Sequence, residues 1–306
     1  MRRTCCGCPS STCCCSRGDE LTTPLAASHD RVKRLRRLLA KRSARWDEQV
    51  YVVEGVELVR LAVSGSQPVE SVYVDAHAAS AEVEAICRLA RSQAVPVFEL
   101  QAGVLAKVAD TVTPQPLMAV VPMAPRPLAD LATGFVVVLA ELRDPGNVGT
   151  LIRTAEASGA SGVILAGQAV DPFNPKTVRS SAGTVLWCPL AVVSDVGPCI
   201  EELKALGYEV LGTEATYGTP YDECDLTGKV AIVLGNEAHG LDEEAAQHLS
   251  GTLSIPMAGS AESLNVGVAG AVVCFEALRQ RRKGDPGASG VYYDGKSANG
   301  GGPSNE

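Results

Sequence analysis

The sequence predicts an α/β protein built from two units. Short apolar runs alternate with helical patterns over residues 50–122, and the alternation resumes at residue 135. Between them, residues 122–133 (PMAPRPLADLAT) carry three prolines in their first six positions. Strand–helix–strand alternation is the signature of α/β architecture. Proline fixes φ and lacks a backbone donor, which suits a connection between units. A chain of 306 residues also has the length of two domains, at roughly 100–200 residues each.

Taken in order, residues 1–28 lack either periodicity and are expected to be disordered. Residues 31–45 (RVKRLRRLLAKRSAR) carry eight cations, with Val32, Leu35, Leu38 and Leu39 at helical spacing, and read as one basic amphipathic helix. VYVVEG (50–55) reads as a strand, 56–65 as a helix stopped by Gly65, and VESVYVD (69–75) as a strand. A helix over 80–94 places Val83, Ile86, Leu89 and Ala90 on one face, and strands follow at 95–100 and 117–122. In the second unit, strands are expected at 135–142, 162–166, 188–193, 208–213, 230–237 and 251–257. Helices are expected over 147–158, 174–181, 198–206 and 264–282, the last with Val268, Val272, Phe275 and Leu278 inside. Its cationic end (Arg279, Arg281, Arg282, Lys283) suits a helix C-terminus. The Gly/Ser/Pro-rich residues 284–306 are expected to be disordered. The expected organisation is therefore a tail (1–29), a first α/β domain (30–121), a linker (122–133), a second α/β domain (134–283) and a tail (284–306).

Charge is distributed unevenly. Residues 1–46 hold 11 Lys and Arg against 3 Asp and Glu, whereas 47–306 hold 16 against 32. A uniform basic coat for nucleic acid is excluded, but a local basic arm is not. With aromatics at 4%, rows of base-stacking rings are disfavoured. Six of the 11 cysteines lie within the first 15 residues, yet their spacing does not match the usual zinc pattern. No run of about 18 apolar residues and no secretory signal is found, so a cytoplasmic protein without a membrane span is expected. Fingerprints for dinucleotides, NTP phosphates and catalytic zinc are absent, and neither His239 nor His248 sits near a nucleophile elbow.

Three loops carry a chemical signal. In DPGNVGTLIRTAEASGA (144–160), Asn147 falls at a loop–helix junction and Arg153 projects from the second turn of an otherwise weakly charged helix. An Arg there needs an anion, either an internal carboxylate or a ligand phosphate. In LGNEAHGL (234–241), Gly235 permits close backbone approach, and Glu237 is presented at a strand end or caps the next helix. In IPMAGSAESLNVGVAGA (255–271), Ser263 and Asn265 are expected to cap a helix whose free N–H groups could hold a polar ligand. Each loop alone has a plain structural explanation; together, each following a strand of one domain, they point to a shared site.

At these residues the chain resembles the SpoU/TrmH family of RNA ribose 2′-O-methyltransferases, of the SPOUT superfamily. The resemblance rests on NVGTLIRTA (147–155), LGNEAHGL (234–241) and IPMAGSAESLNVGVA (255–269), and extends over about 134–282. A weaker match, YVVEGVELV (51–59), makes 31–121 similar to the family's accessory RNA-binding domain of ribosomal-protein type. The resemblance implies a C-terminal α/β trefoil-knot domain, a homodimer with its active site at the subunit interface, and S-adenosylmethionine as cofactor. It implies cofactor contacts at Gly235, Ile255 and Leu264, with Thr213, Asn236 and Met257 lining the same pocket. It also implies catalytic and structural roles for Asn147, Arg153, Glu237, Ser263 and Asn265. Arg153 would grip the target phosphate and assist the 2′-hydroxyl, while the others orient it and shape the loops. The sequence has Gly267 where many members carry Ser. Structured RNA is the implied partner, rRNA ahead of tRNA. A thiopeptide-resistance enzyme and a non-enzymatic RNA-binding protein on the same fold remain open at this point.

Overall fold

The computed structural model describes residues 23–284, apart from 78–79, 110–113, 132 and 216. The first unit comprises α1 (Asp30–Ala40), α2 (Arg42–Glu48), β1 (Val50–Glu54), α3 (Val56–Ser64), β2 (Ser71–Asp75), α4 (Ala81–Ser92), β3 (Val97–Leu100), α5 (Val104–Val108) and β4 (Leu117–Pro122). Its sheet runs β1-β4-β2-β3, with β4 antiparallel to both neighbours and β2 parallel to β3. Successive strand residues face opposite sides. Tyr51, Val53, Ala119 and Val121 therefore pack with α3 and α4, while Val50, Val52, Met118 and Val120 pack with α1 and α5. On α4 the buried stripe is Val83, Ile86, Cys87 and Ala90. Leu89, expected inside, is half-exposed because it falls between turns of that stripe.

The tail expected over 1–29 is only partly outside the fold. Leu25 forms a bridge with Leu100, accepting from the N–H of Gln101 and donating to Glu99, and the His29 side chain caps α1. Residues 1–22, with the cysteine cluster, and the expected tail beyond residue 284 lie outside the described residues.

The basic segment is two helices, not one, and much of its charge is spent internally. Lys41 is extended (φ −119°, ψ 121°) and separates α1 from α2. Val32, Leu35, Leu38 and Leu39 are buried against the sheet. Arg34 bridges Glu48 and Glu70, Arg37 pairs with Glu48, and Lys33 pairs with Asp30. Arg45 is only 2% exposed and pairs with Asp171, 3% exposed, at 2.6 Å, while donating to the carbonyl of Leu38 at 2.7 Å. The single basic helix expected over 31–45 is corrected to a docked helix pair. Acidic neighbours at Glu48, Glu70 and Asp171 were not visible from local sequence.

Arg45–Asp171 also joins the two units. Trp46 Nε1 and the N–H of Phe173 both donate to Asp171 Oδ1, and Phe173 packs on Trp46 and Tyr51. Glu54, 4% exposed, receives Arg179 across the same seam. Removing one member of a buried pair strands the other. Asp171→Ala is therefore expected to cost about 3–5 kcal/mol, read as a lowered urea midpoint.

The second unit comprises β5 (Phe135–Ala140), α6 (Pro145–Ala157), β6 (Gly162–Ala166), α7 (Pro175–Ser180), β7 (Leu190–Val193), α8 (Val196–Ala205), β8 (Glu209–Glu214), β9 (Thr219–Pro220), β10 (Val230–Leu234), α9 (Glu243–Gln247), β11 (Gly251–Ser254) and α10 (Val266–Gly284). The residues before it are not a loose linker: Leu128 and Leu131, in a 3₁₀ turn, are buried against the sheet. All seven strands are parallel, in the order β7-β6-β5-β10-β8-β11-β9. β10 inserts between β5 and β8 although it follows both in sequence, and it is buried along its whole length. The order reverses here, and in open α/β sheets ligands bind beyond the strand C-termini at such a point. β5 and β10 pair in register from Phe135–Val230 to Leu139–Leu234, so their loops emerge at one level. Because every strand is parallel, the loops after β8 and β11 leave by the same edge.

α10 presents a different face from the one expected. Val273, Cys274 and Ala277 are buried, whereas Val268 (51%) and Phe275 (49%) are exposed. This helix carries apolar residues on two stripes, and periodicity alone does not say which one meets the sheet. Among the described residues, no helix is long and apolar enough to cross a membrane.

Candidate active site

At the edge where the loops after β8, β10 and β11 converge lies a cavity of about 560 Å³. Thr213, Gly235, Asn236, Ile255, Met257 and Leu264 all line it, together with Glu237, Ser263 and Asn265. Its size is in the range of small-molecule and cofactor sites. Ile255, Met257 and Leu264 supply apolar wall, and the loop 235–240 supplies polar backbone. Glu214 and Ala215, at the end of β8, also line it and were not singled out from sequence; once the strands are known to be parallel, their place follows.

The loop after β10 is built by backbone pairing. Asn236 and Gly240 exchange two N–H···O bonds, both 2.9 Å, closing a tight turn. A Cβ on Gly235 would lie 2.5 Å from the carbonyl carbon of Gly240 and 2.6 Å from the nitrogen of Leu241, so only glycine fits. Asn236 Nδ2 donates to the carbonyl of Glu141 at 2.9 Å, and its Oδ1 accepts from the N–H of Ala238. Glu141 has φ +56°, uncommon for a non-glycine residue, and the Asn236 bond holds that turn beside the site.

A second layer links three loops through side chains. Asp144, not Asn147, caps α6: its Oδ2 accepts from the N–H of Asn147 at 2.9 Å, with Pro145 at the first helical position. That bond, followed by the Lys176 ammonium at 3.2 Å, holds the Asp144 carboxyl below its ordinary range. An Asp directly before Pro at the start of a helix is a readable cap signal. The Asn147 side chain is thereby left to bridge. Its Nδ2 donates to Glu237 Oε1 at 3.2 Å, and its Oδ1 accepts from Asn265 Nδ2, also at 3.2 Å. Glu237 accepts in addition from the N–H groups of Arg143 and Asp144, at 3.4 and 3.3 Å, so it braces the turn after β5 and does not cap the next helix. Asn265 Oδ1 accepts from the N–H of Gly267 at 2.9 Å and caps α10. Ser263, expected to share that role, lines the cavity, and no capping bond of its hydroxyl is seen among the described residues.

Arg153 stands apart from this network. It is exposed on α6, six residues and so roughly 9 Å along the axis from Asn147. It does not line the cavity. Among the described residues no carboxylate pairs with it, so the internal salt bridge is not formed and its guanidinium faces outward. Asn147, Glu237 and Asn265 do not touch it; they shape the loops.

Sequence and structure comparisons bear on this arrangement. A sequence model described as the SpoU rRNA Methylase family matches residues 134–275, and one described as an MRM3-like substrate binding domain matches 29–119. The chain is 33% identical over 252 residues to the 23S rRNA (guanosine(2553)-2′-O)-methyltransferase of Bacillus subtilis, covering 82% of this chain and 96% of that protein. It is 32% identical to the 23S rRNA (uridine(2479)-2′-O)-methyltransferase of Streptomyces viridochromogenes, covering 88% and 97%. The AdoMet-bound rRNA methyltransferase from Sinorhizobium meliloti superposes with a TM-score of 0.73 at 31% identity, over 82% of this chain and 95% of that one.

Proposed function

The chain belongs to the SpoU rRNA methylase family, and from that premise we propose that its cavity and loop network carry out S-adenosylmethionine-dependent methylation of a ribose 2′-hydroxyl in ribosomal RNA. The observation that carries the reading is the convergence of three separated loops, through Glu237, Asn147 and Asn265, on the rim of one cavity at the point of strand reversal. The named relatives both act on 23S rRNA, which favours the large-subunit RNA and hence a cytoplasmic protein.

S-adenosylmethionine, when bound, supplies the methyl group that passes to the ribose oxygen. Gly235, Asn236, Ile255, Met257 and Leu264 would hold it, with Thr213 in the same lining. The Gly235 backbone cradle, which a Cβ would fill, supports this assignment. Arg153 binds the phosphate beside the target ribose and orients the 2′-hydroxyl. A hydroxyl is a poor nucleophile, and orientation alone can supply much of the rate. Asn147, Glu237 and Asn265 keep the loops at a fixed separation; Ser263 closes the rim.

The working unit is a homodimer. Val268 and Phe275 expose an apolar stripe along α10, on the side away from the sheet. Within one chain Arg153 does not line the cavity, so in this reading it serves the cavity of the second copy. The domain division at 122–133 and a knotted path of the loops after β10 and β11 belong to the same reading. Phe275→Asp is expected to yield monomers by sedimentation velocity and to abolish methyl transfer; a dimer that survives it would place the interface elsewhere. The test of the function is calorimetry with S-adenosylmethionine, followed by transfer of its labelled methyl to unmodified rRNA. Saturable binding with label recovered in 2′-O-methyl nucleosides is expected. No binding would overturn the reading.

A further inference from the structure

Trp187 is a large apolar residue that the fold leaves 46% exposed. It is nevertheless held in place, because its Nε1 donates to Glu156 Oε1 at 3.0 Å. Glu156 lies on α6 three residues after Arg153, and both are exposed, so the indole sits about one helical turn along from the outward guanidinium. Trp187 also stands where the two units meet. It borders a crevice shared with Gln67 of the first unit and with Arg126 of the connecting segment. At about 30 Å³ that crevice is too narrow to admit a ring, which leaves its mouth, at the exposed indole, as the place where a flat group could lie. Arg126 is exposed, its backbone N–H is fixed to the carbonyl of Leu190, and no ion pair engages its side chain among the described residues. Gln67 adds an amide able to donate and accept.

We propose that Trp187, with Arg126 and Gln67, forms a stacking platform for an unpaired nucleobase of the RNA substrate next to the methylated nucleotide. Three features favour a base. The face is aromatic and pre-oriented, a cation lies beside it for the adjoining phosphate, and an amide is in place for a base edge. Sequence-directed RNA recognition works mainly on unstacked bases laid on aromatic rings. The chain is poor in aromatics, so rows of rings are lacking; one oriented ring suffices to place one base. Trp187 acts here as a positioning residue: it fixes the strand so that the neighbouring nucleotide reaches Arg153. The proposal rests on the methyl-transfer reading of the site.

The test combines intrinsic fluorescence with steady-state kinetics on the full chain, using oligouridylate and an unmodified 23S rRNA transcript as probes. Wild-type emission is expected to be quenched by either RNA, and the quenching to be absent in Trp187→Phe, where only Trp46 emits. Trp187→Ala is expected to raise the RNA KM about 10-fold, the scale of one base–aromatic stack, more than it lowers kcat, with S-adenosylmethionine affinity unchanged. Trp187→Phe, which loses the bond to Glu156 but keeps a ring, is expected to retain most of the RNA affinity. An unchanged KM in Trp187→Ala, or equal losses in both variants, would overturn the platform. An indole shielded from acrylamide in the free dimer would do the same, since a second copy would then cover it. Failure of the methyl-transfer reading is separately visible: the wild-type protein would transfer no methyl, while RNA quenching would still report on Trp187.

Discussion

Replacing Arg153 with alanine is expected to lower methyl transfer about 10²–10³-fold, the usual loss on removing one preorganised donor from a reacting centre. S-adenosylmethionine binding should stay close to wild type, because Arg153 does not line the cavity. Stability should change little, since the side chain is exposed and no carboxylate pairs with it among the described residues. That combination is informative. An arginine kept for the fold would show the opposite pattern, with stability lost and turnover kept. Arg153→Lys is expected to restore little, because an ammonium lacks the planar fork that grips a phosphate through two bonds. Near-normal transfer by Arg153→Ala would remove Arg153 from the chemistry.

Gly235→Ala is expected to weaken S-adenosylmethionine binding about 10- to 100-fold, read by calorimetry. The added methyl would meet backbone, at 2.5 Å from the Gly240 carbonyl carbon, and no flexible side chain is there to yield. The Asn236–Gly240 pairing must open to relieve it, and that pairing is the cavity wall. Overpacking of this kind costs about 1–3 kcal/mol, which at 1.4 kcal/mol per decade gives the stated loss. Gly240→Ala is the control. Its Cβ meets nothing within 4 Å, so only the strain of φ +68° is added, and its effect should be smaller. Equal effects at 235 and 240 would mean that loop flexibility, and not steric closure, governs the cavity.

What was legible in the sequence follows from what local pattern encodes. The strands at 50–54, 117–122, 135–140 and 162–166 announce themselves as short apolar runs, and the helix ending at Gly65 carries its own stop signal. Short elements such as α5, α9 and β9 hold too few residues to show a period. The faces of α4 and α10 were misjudged because choosing between neighbouring stripes requires knowing what lies opposite. The basic segment was misjudged for the same reason: Arg45 finds its partner 126 residues away. Gly235, Asn236, Ile255, Met257 and Leu264 were legible through their motifs, whereas Glu214, Ala215 and the links among the loops were not. Asn147 meets Glu237 across 90 residues and Asn265 across 118. Those contacts exist only because β10 slots between β5 and β8, a strand order no local signal specifies.

The central claim is that this site methylates ribose oxygens of ribosomal RNA, and the most direct measurement is a nucleotide-resolution map of 2′-O-methylation. Unmodified 23S and 16S rRNA transcripts are incubated with the protein and S-adenosylmethionine, alongside the Arg153→Ala variant as control. The account predicts a new 2′-O-methyl at a defined rRNA position, present with the wild-type chain and absent with the variant. A map in which no ribose gains a methyl, or in which the methyl appears on a base, would contradict it.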